Sequence, residues 1–326
     1  MCHRLAVLEQ APLPLRCHSS SIHQTGAEAE QPDGDVLFCF GLDGVVCDLC
    51  GAITQIAWRA ASQLWPRSAP GSAAVYERKM REVWPAVCHP HESVMLLRLL
   101  AEEGVIGGRS TAGRQGPVVG RSPRAQGTRG LLAAEIVEHW AFLKDACLRR
   151  WGVEDERVIQ QAFLDQMADC ARGDAATPWR PHIRPHQAVV EAINGSSRPV
   201  LVASPLPLAA ISAVLEHCSI DPGAAAAVSL PANGRLAAHL CESAPAACAT
   251  VHVMQDRLSP LEHIQLGWPQ NGPQLCLHLA DWGHSTPAMR ARAVAVPGVD
   301  VLSDVRLAEL MNVTHLTAVM DGVAWR

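Results

Sequence analysis

The chain has 326 residues, 48% hydrophobic and 18% charged, a balance that builds a large core and excludes disorder throughout. Its net charge of -5 gives no global pull toward phosphate backbones or anionic lipid, so nucleic-acid binding would need a local basic patch. Apolar stretches are always cut short of the roughly 18 residues that a spanning helix needs, and twelve cysteines are too sparse for a disulfide scaffold, which fits a reducing compartment.

Residues 1–34 carry Arg4, Arg16 and Ser19-Ser20-Ser21 without a contiguous apolar segment. They read as a disordered leader or an organellar transit peptide, not a secretory signal. Val36-Leu37-Phe38-Cys39-Phe40 is a short apolar run closed by Gly41 and Asp43-Gly44, as in a buried strand entering a turn. Helices are expected through Ile53, Ile56, Ala60 and Leu64, and again as one region from Tyr76 to Leu100. Residues 104–130 hold five arginines (Arg109, Arg114, Arg121, Arg124, Arg129) among Gly, Ser and Pro, with no acid, and read as a disordered loop. Helical character resumes from Leu131 to Met167.

Pro178, Pro181 and Pro185 mark a boundary. Beyond it, apolar runs near 199–203, 225–230, 250–254, 274–280 and 299–302 alternate with helical segments, the pattern of a parallel, doubly wound α/β sheet. Ligands of such sheets sit beyond the carboxyl ends of the strands, which directs attention to Gly41 and Asp43, Ser204, Gln255-Asp256 and Asp281.

Phe40-Gly41-Leu42-Asp43-Gly44-Val45-Val46-Cys47-Asp48 resembles the first motif of the haloacid dehalogenase-like (HAD) superfamily, an apolar strand followed by Asp-x-Asp-Gly. Val200-Leu201-Val202-Ala203-Ser204 is similar to the second motif, and the run Val251 to Leu258, with Gln255-Asp256, to the fourth. The stretch Leu279 to Pro287 and the helix containing Leu96 to Leu100 look like segments of a cyanobacterial and plant branch. The resemblance implies a Rossmann-like, HAD-type core of residues 35–52 and 181–312, a helical cap at 53–180, and a tail at 313–326.

It also implies phosphoryl transfer through an aspartyl-phosphate, in which one Asp attacks phosphorus and binds Mg²⁺ while a second works as acid and base. Position by position, Asp43 matches the acid/base, Ser204 the phosphate-binding hydroxyl and Asp256 a metal ligand. Gly41 stands where the nucleophile belongs and Gln255 where an acid is usual. The only lysines, Lys79 and Lys144, fall in the cap, so Arg235 is the stand-in for the phosphate-binding cation.

A degenerate HAD-like protein is therefore expected, a pseudoenzyme serving as a binding or assembly component with a protein partner. The alternatives are a weak Mg²⁺-dependent phosphatase in which Asp43 activates water, and an RNA-binding accessory acting through residues 109–129. No cofactor is expected; Mg²⁺ held weakly at Asp256 is the exception. Leader, cysteine usage and branch resemblance point to a plastid (chloroplast), and otherwise to the cytoplasm. Asp43 and Ser204 could equally be turn residues that cap backbone amides. Cys47-Asp48-Leu49-Cys50 reads as structural, as do the pairs His89/His91 and His182/His186.

Overall fold

The computed structural model describes residues 35–66, 71–102, 131–173, 179–230, 236–244 and 248–311. The expected leader, the arginine-rich loop, Arg235 and the tail lie outside them.

β1 (Asp35–Gly41) is apolar along most of its length, as a strand buried on both faces must be. It lies inside a six-stranded sheet with the order β5-β4-β1-β6-β7-β8, formed with β4 (Val200–Ser204), β5 (Ala226–Ser229), β6 (Cys248–Gln255), β7 (Gln274–Ala280) and β8 (Val299–Leu302). Every neighbouring pair is parallel. Register puts Gly41 beside Ala203 of β4 and Phe40 beside Met254 of β6. Alternation along the strands then sorts the side chains. Phe38, Phe40, Val202 and Met254 face one core, while Leu37, Cys39, Val251, Val253 and Leu279 face another.

The first core is closed by α6 (Gln187–Asn194) and α7 (Leu208–His217) through Val190, Ile193, Ile211 and Val214. The second is closed by α8 (Leu236–Ser243), α9 (Leu258–Gly267) and α10 (Pro287–Val294) through Leu240, Leu261, Ile264 and Ala293. Helices thus cover both faces, and the sheet is doubly wound. The chain reaches β4 and β5 on one side of β1 before returning to β6 on the other, so the strand order reverses around β1. That is where such sheets open a ligand crevice, beyond the ends of β4, β1 and β6.

Between β1 and β4 the chain is mainly helical. After the short β2 (Cys47–Asp48) come α1 (Cys50–Leu64), α2 (Ala73–Val83), α3 (Glu92–Glu102), α4 (Ala133–Trp151) and α5 (Arg157–Arg172). β3 (Arg184–Pro185) then pairs antiparallel with β2. One expectation needs correction. The region from Tyr76 to Leu100 is two helices, broken by a 3₁₀ turn at Trp84–Ala86 and the following residues, because Pro85 and Pro90 lack the amide that would continue the ladder. The stretch from Leu131 to Met167 is likewise divided, at Gly152, whose left-handed backbone ends α4 (φ 65°).

Candidate functional site

The turn after β1 projects Asp43 beyond the sheet, and Gly44 (φ 76°) adopts a left-handed conformation. Any side chain at Gly44 would overlap the Asp256 carboxylate, and one at Gly283 would overlap both the Gly44 carbonyl and Asp256. Two glycines therefore let the ends of β1, β6 and β7 close around one buried acid. Trp282 locks the same three-way contact by donating its indole N–H to the Val45 carbonyl (3.1 Å).

Asp43 is surrounded by donors. Its Oδ1 accepts from the Leu49 amide (2.9 Å) and lies 3.3 Å from His284 Nε2. Its Oδ2 accepts from Trp84 Nε1 (3.0 Å) and lies 3.5 Å from Arg257 Nη2. Burial alone would raise the Asp43 pKa, but the charge and hydrogen bond of His284, then Arg257 and the Leu49 amide, override it and bring the carboxyl down to about 2. His284 moves in complement. Burial opposes its charged form, yet Asp43 holds the imidazole above its usual range.

Asp256 differs. It is only 4% exposed, and its Oδ2 has no hydrogen-bond donor among the described residues. Arg257 Nε lies 3.8 Å from that oxygen. Burial pushes the Asp256 pKa up, against the pull of Arg257 and His284. Arg257 is largely buried, its side chain 12% exposed, touches Asp43 and Asp256, and donates through Nη1 to the Val87 carbonyl in the segment before α3. Asp48 completes the cluster. It accepts from the Cys50 amide (2.9 Å) and from Arg81 of α2, and lies 3.9 Å from His284.

Gly41 ends β1, as its alignment with the first motif implies, but the space beside it is filled. A Cβ at Gly41 would lie 2.6 Å from Oε1 of Gln255. The Gln255 carboxamide thus lies across the space into which any side chain at this position would project. Ser204 ends β4 in the neighbouring strand, buried, and its Oγ accepts from the Leu206 amide (3.3 Å), the turn-capping contact open to a serine before Pro205. Asp281 is exposed, and its amide donates to the Leu302 carbonyl.

The sequence reading picked out Asp43, Asp256 and the Gly41 position, and the structure brings these together. It gave no role to Asp48, Arg257 and His284, although each lies within or directly beside a motif segment and could have been read as a strand-end residue. Trp84 and Arg81 reach the site from the helical insertion and carry no local signal. Lys144 makes no contact with the three aspartates and is bound to Glu92 (3.0 Å) and Glu156 (3.5 Å). Lys144 and Glu156, with His89, His91 and Pro205, line a cavity of about 300 Å³ that has none of the three aspartates in its wall. Cys47 and Cys50 are fully buried and burial raises both thiol pKa values, consistent with packing and not redox use.

Neither a protein-family model nor a curated protein matches the chain. Solved structures do resemble it at low identity. A candidate phosphoglycolate phosphatase from Lactobacillus delbrueckii subsp. bulgaricus is 10% identical, with 85% of this chain and 98% of that one covered and a TM-score of 0.47. A predicted phosphatase from Clostridium acetobutylicum is 12% identical over 85% and 97% of the two chains, TM-score 0.46. A haloacid dehalogenase-like hydrolase from Streptococcus pneumoniae is 11% identical over 85% and 98%, TM-score 0.43. At that distance the chemistry of the pocket has to be judged from this chain's own residues.

Proposed function

We propose that this chain is a HAD-like protein that has kept the fold and lost efficient phosphoryl transfer, and that it works as a binding or assembly component. The observation that carries the reading is at the end of β1, where Gly41 has no side chain and the Gln255 carboxamide fills the adjoining space. Covalent phosphoryl transfer needs a carboxylate there to attack phosphorus, and loss of such a group costs on the order of 10⁴ to 10⁶ in rate.

Asp43 does not replace it. A carboxylate held at about pKa 2 is a poor base for activating water, and at neutral pH it has no proton to give a leaving group. Its oxygens are also engaged by Leu49, Trp84, His284 and Arg257, so a water or an ester oxygen would have to displace a donor already in place.

The test is direct. Purified protein with Mg²⁺ and an aryl phosphate is expected to show no turnover above background. Turnover that disappears in Asp43→Asn would overturn the reading in favour of a phosphatase working through Asp43.

A further inference from the structure

A pocket that loses its nucleophile usually still has to deal with its remaining acids. Here Asp43 and Asp256 converge at the ends of β1 and β6, with Asp48 close by on β2. Placing carboxylates together in a partly buried site is costly unless a cation or protons accompany them. A divalent ion answers this with ligand oxygens at roughly 2.1 Å and near-octahedral geometry. The arrangement in this chain does not suit such an ion. The main obstacle is a guanidinium that already touches Asp43 and Asp256; Gly41, which offers no carboxylate, and the donors Leu49, Trp84 and His284 on Asp43 limit any ion admitted there to weak binding.

We infer that Arg257 is a tethered cation that takes the place of a metal ion between Asp43 and Asp256, and that it masks a latent divalent-cation site. Three features support this beyond an ordinary ion pair. Arg257 sits next to Asp256 in sequence at the end of β6, and its guanidinium is turned back over the pocket, anchored from the far side by the Val87 carbonyl. Its contacts with the acids are charge contacts of 3.5 and 3.8 Å, and its Nε and Nη2 have no hydrogen-bond acceptor. On the other side, Asp256 Oδ2 is buried with no donor. The pair is matched in charge, yet Nε and Nη2 of Arg257 and Oδ2 of Asp256 stay without hydrogen bonds, as when a side chain fills a site whose geometry suits a smaller ligand. The inference deepens the non-catalytic reading of the pocket and rests on it.

The experiment uses the full chain, with Mn²⁺ as probe. Binding is read by electron paramagnetic resonance, and thermal melting is followed with and without millimolar Mg²⁺. Wild-type protein should show no Mn²⁺ binding that responds to Asp256→Asn. Arg257→Gln and Arg257→Ala should bind Mn²⁺ at least about tenfold more tightly than wild type, since a neighbouring positive charge has gone. Asp256→Asn in the Arg257→Gln background should abolish the gain. Mg²⁺ should raise the melting temperature of the Arg257 variants and leave wild type unchanged.

Mn²⁺ binding by wild type that is lost in Asp256→Asn would overturn the inference without needing either arginine variant to fold. Folded Arg257 variants without added affinity would overturn it as well. Neither result depends on turnover, so phosphatase activity in wild type would overturn the proposed function separately.

Discussion

Gly41 and Gln255 constrain each other. Introducing a carboxylate by Gly41→Asp looks, from the motif alone, like a route to metal binding, but the new side chain would start 2.6 Å from the Gln255 oxygen. Gln255 is flexible at its far end and can yield, at a cost in packing and in a third negative charge beside Asp43 and Asp256. We expect Gly41→Asp to destabilise the protein by about 1–3 kcal/mol, the usual range for overpacking, and Gly41→Asp/Gln255→Ala to recover part of that loss. Urea denaturation of the three proteins checks this; a double variant less stable than Gly41→Asp would show that Gln255 is not the obstacle. His284 gives a second expectation. Its pKa is raised in the folded state, so its contribution is fully present below the unfolded value of about 6.5 and fades as pH climbs through the higher folded value. Asp43 behaves oppositely: its stabilisation holds above the ordinary carboxyl range and is lost as pH falls through about 2. The stability deficit of His284→Gln should therefore be largest in mild acid and shrink toward alkaline pH. A deficit independent of pH would mean that His284 acts through packing alone.

At the level of elements, the strands were the most legible part of the sequence. Parallel strands buried on both faces are written as near-continuous apolar runs; Val36 to Phe40 and Val200 to Ala203 are unbroken, and Leu275 to Ala280 is interrupted only by His278. Helices of the insertion were legible as helices and poorly as units. What divides them is Pro85, Pro90 and Gly152, each acting on one peptide group inside otherwise continuous periodicity. The site shows the same split between local and distant information. Asp43 and Asp256 follow strands directly, and strand ends are where chemistry collects, so position alone nominates them. Arg81 and Trp84 meet Asp48 and Asp43 across separations of 33 and 41 residues, and nothing local marks such contacts. Gln255 could be read only as standing where the resembled motif usually has an acid, and its occupation of the Gly41 space depends on side-chain direction across two strands.

For the whole molecule, these long-range contacts fasten the helical insertion to the sheet at the one place where a capped enzyme would need freedom. Lids that close over substrate must also open, and they do so through weak or exchangeable contacts. Here Arg81 of α2 holds Asp48, the indole of Trp84 holds Asp43, and Arg257 reaches back to the Val87 carbonyl, so three ties cross from insertion to core within one partly buried charge network. The described residues accordingly fall in one compact unit. We expect the insertion and the sheet to unfold together. Tryptophan fluorescence weights the insertion, where Trp58, Trp65, Trp84, Trp140 and Trp151 lie, whereas far-ultraviolet circular dichroism reports the whole backbone. The two probes should give coincident urea transitions for wild type, the signature of a two-state process. Arg81→Gln combined with Trp84→Phe removes two ties while leaving the apolar packing in place, and should bring the fluorescence transition to lower urea than the circular dichroism one. Separate transitions already in wild type would mean that the insertion moves independently of the sheet. In that case the contacts at Asp43 and Asp48 would be those of a lid at rest and not of a fixed closure.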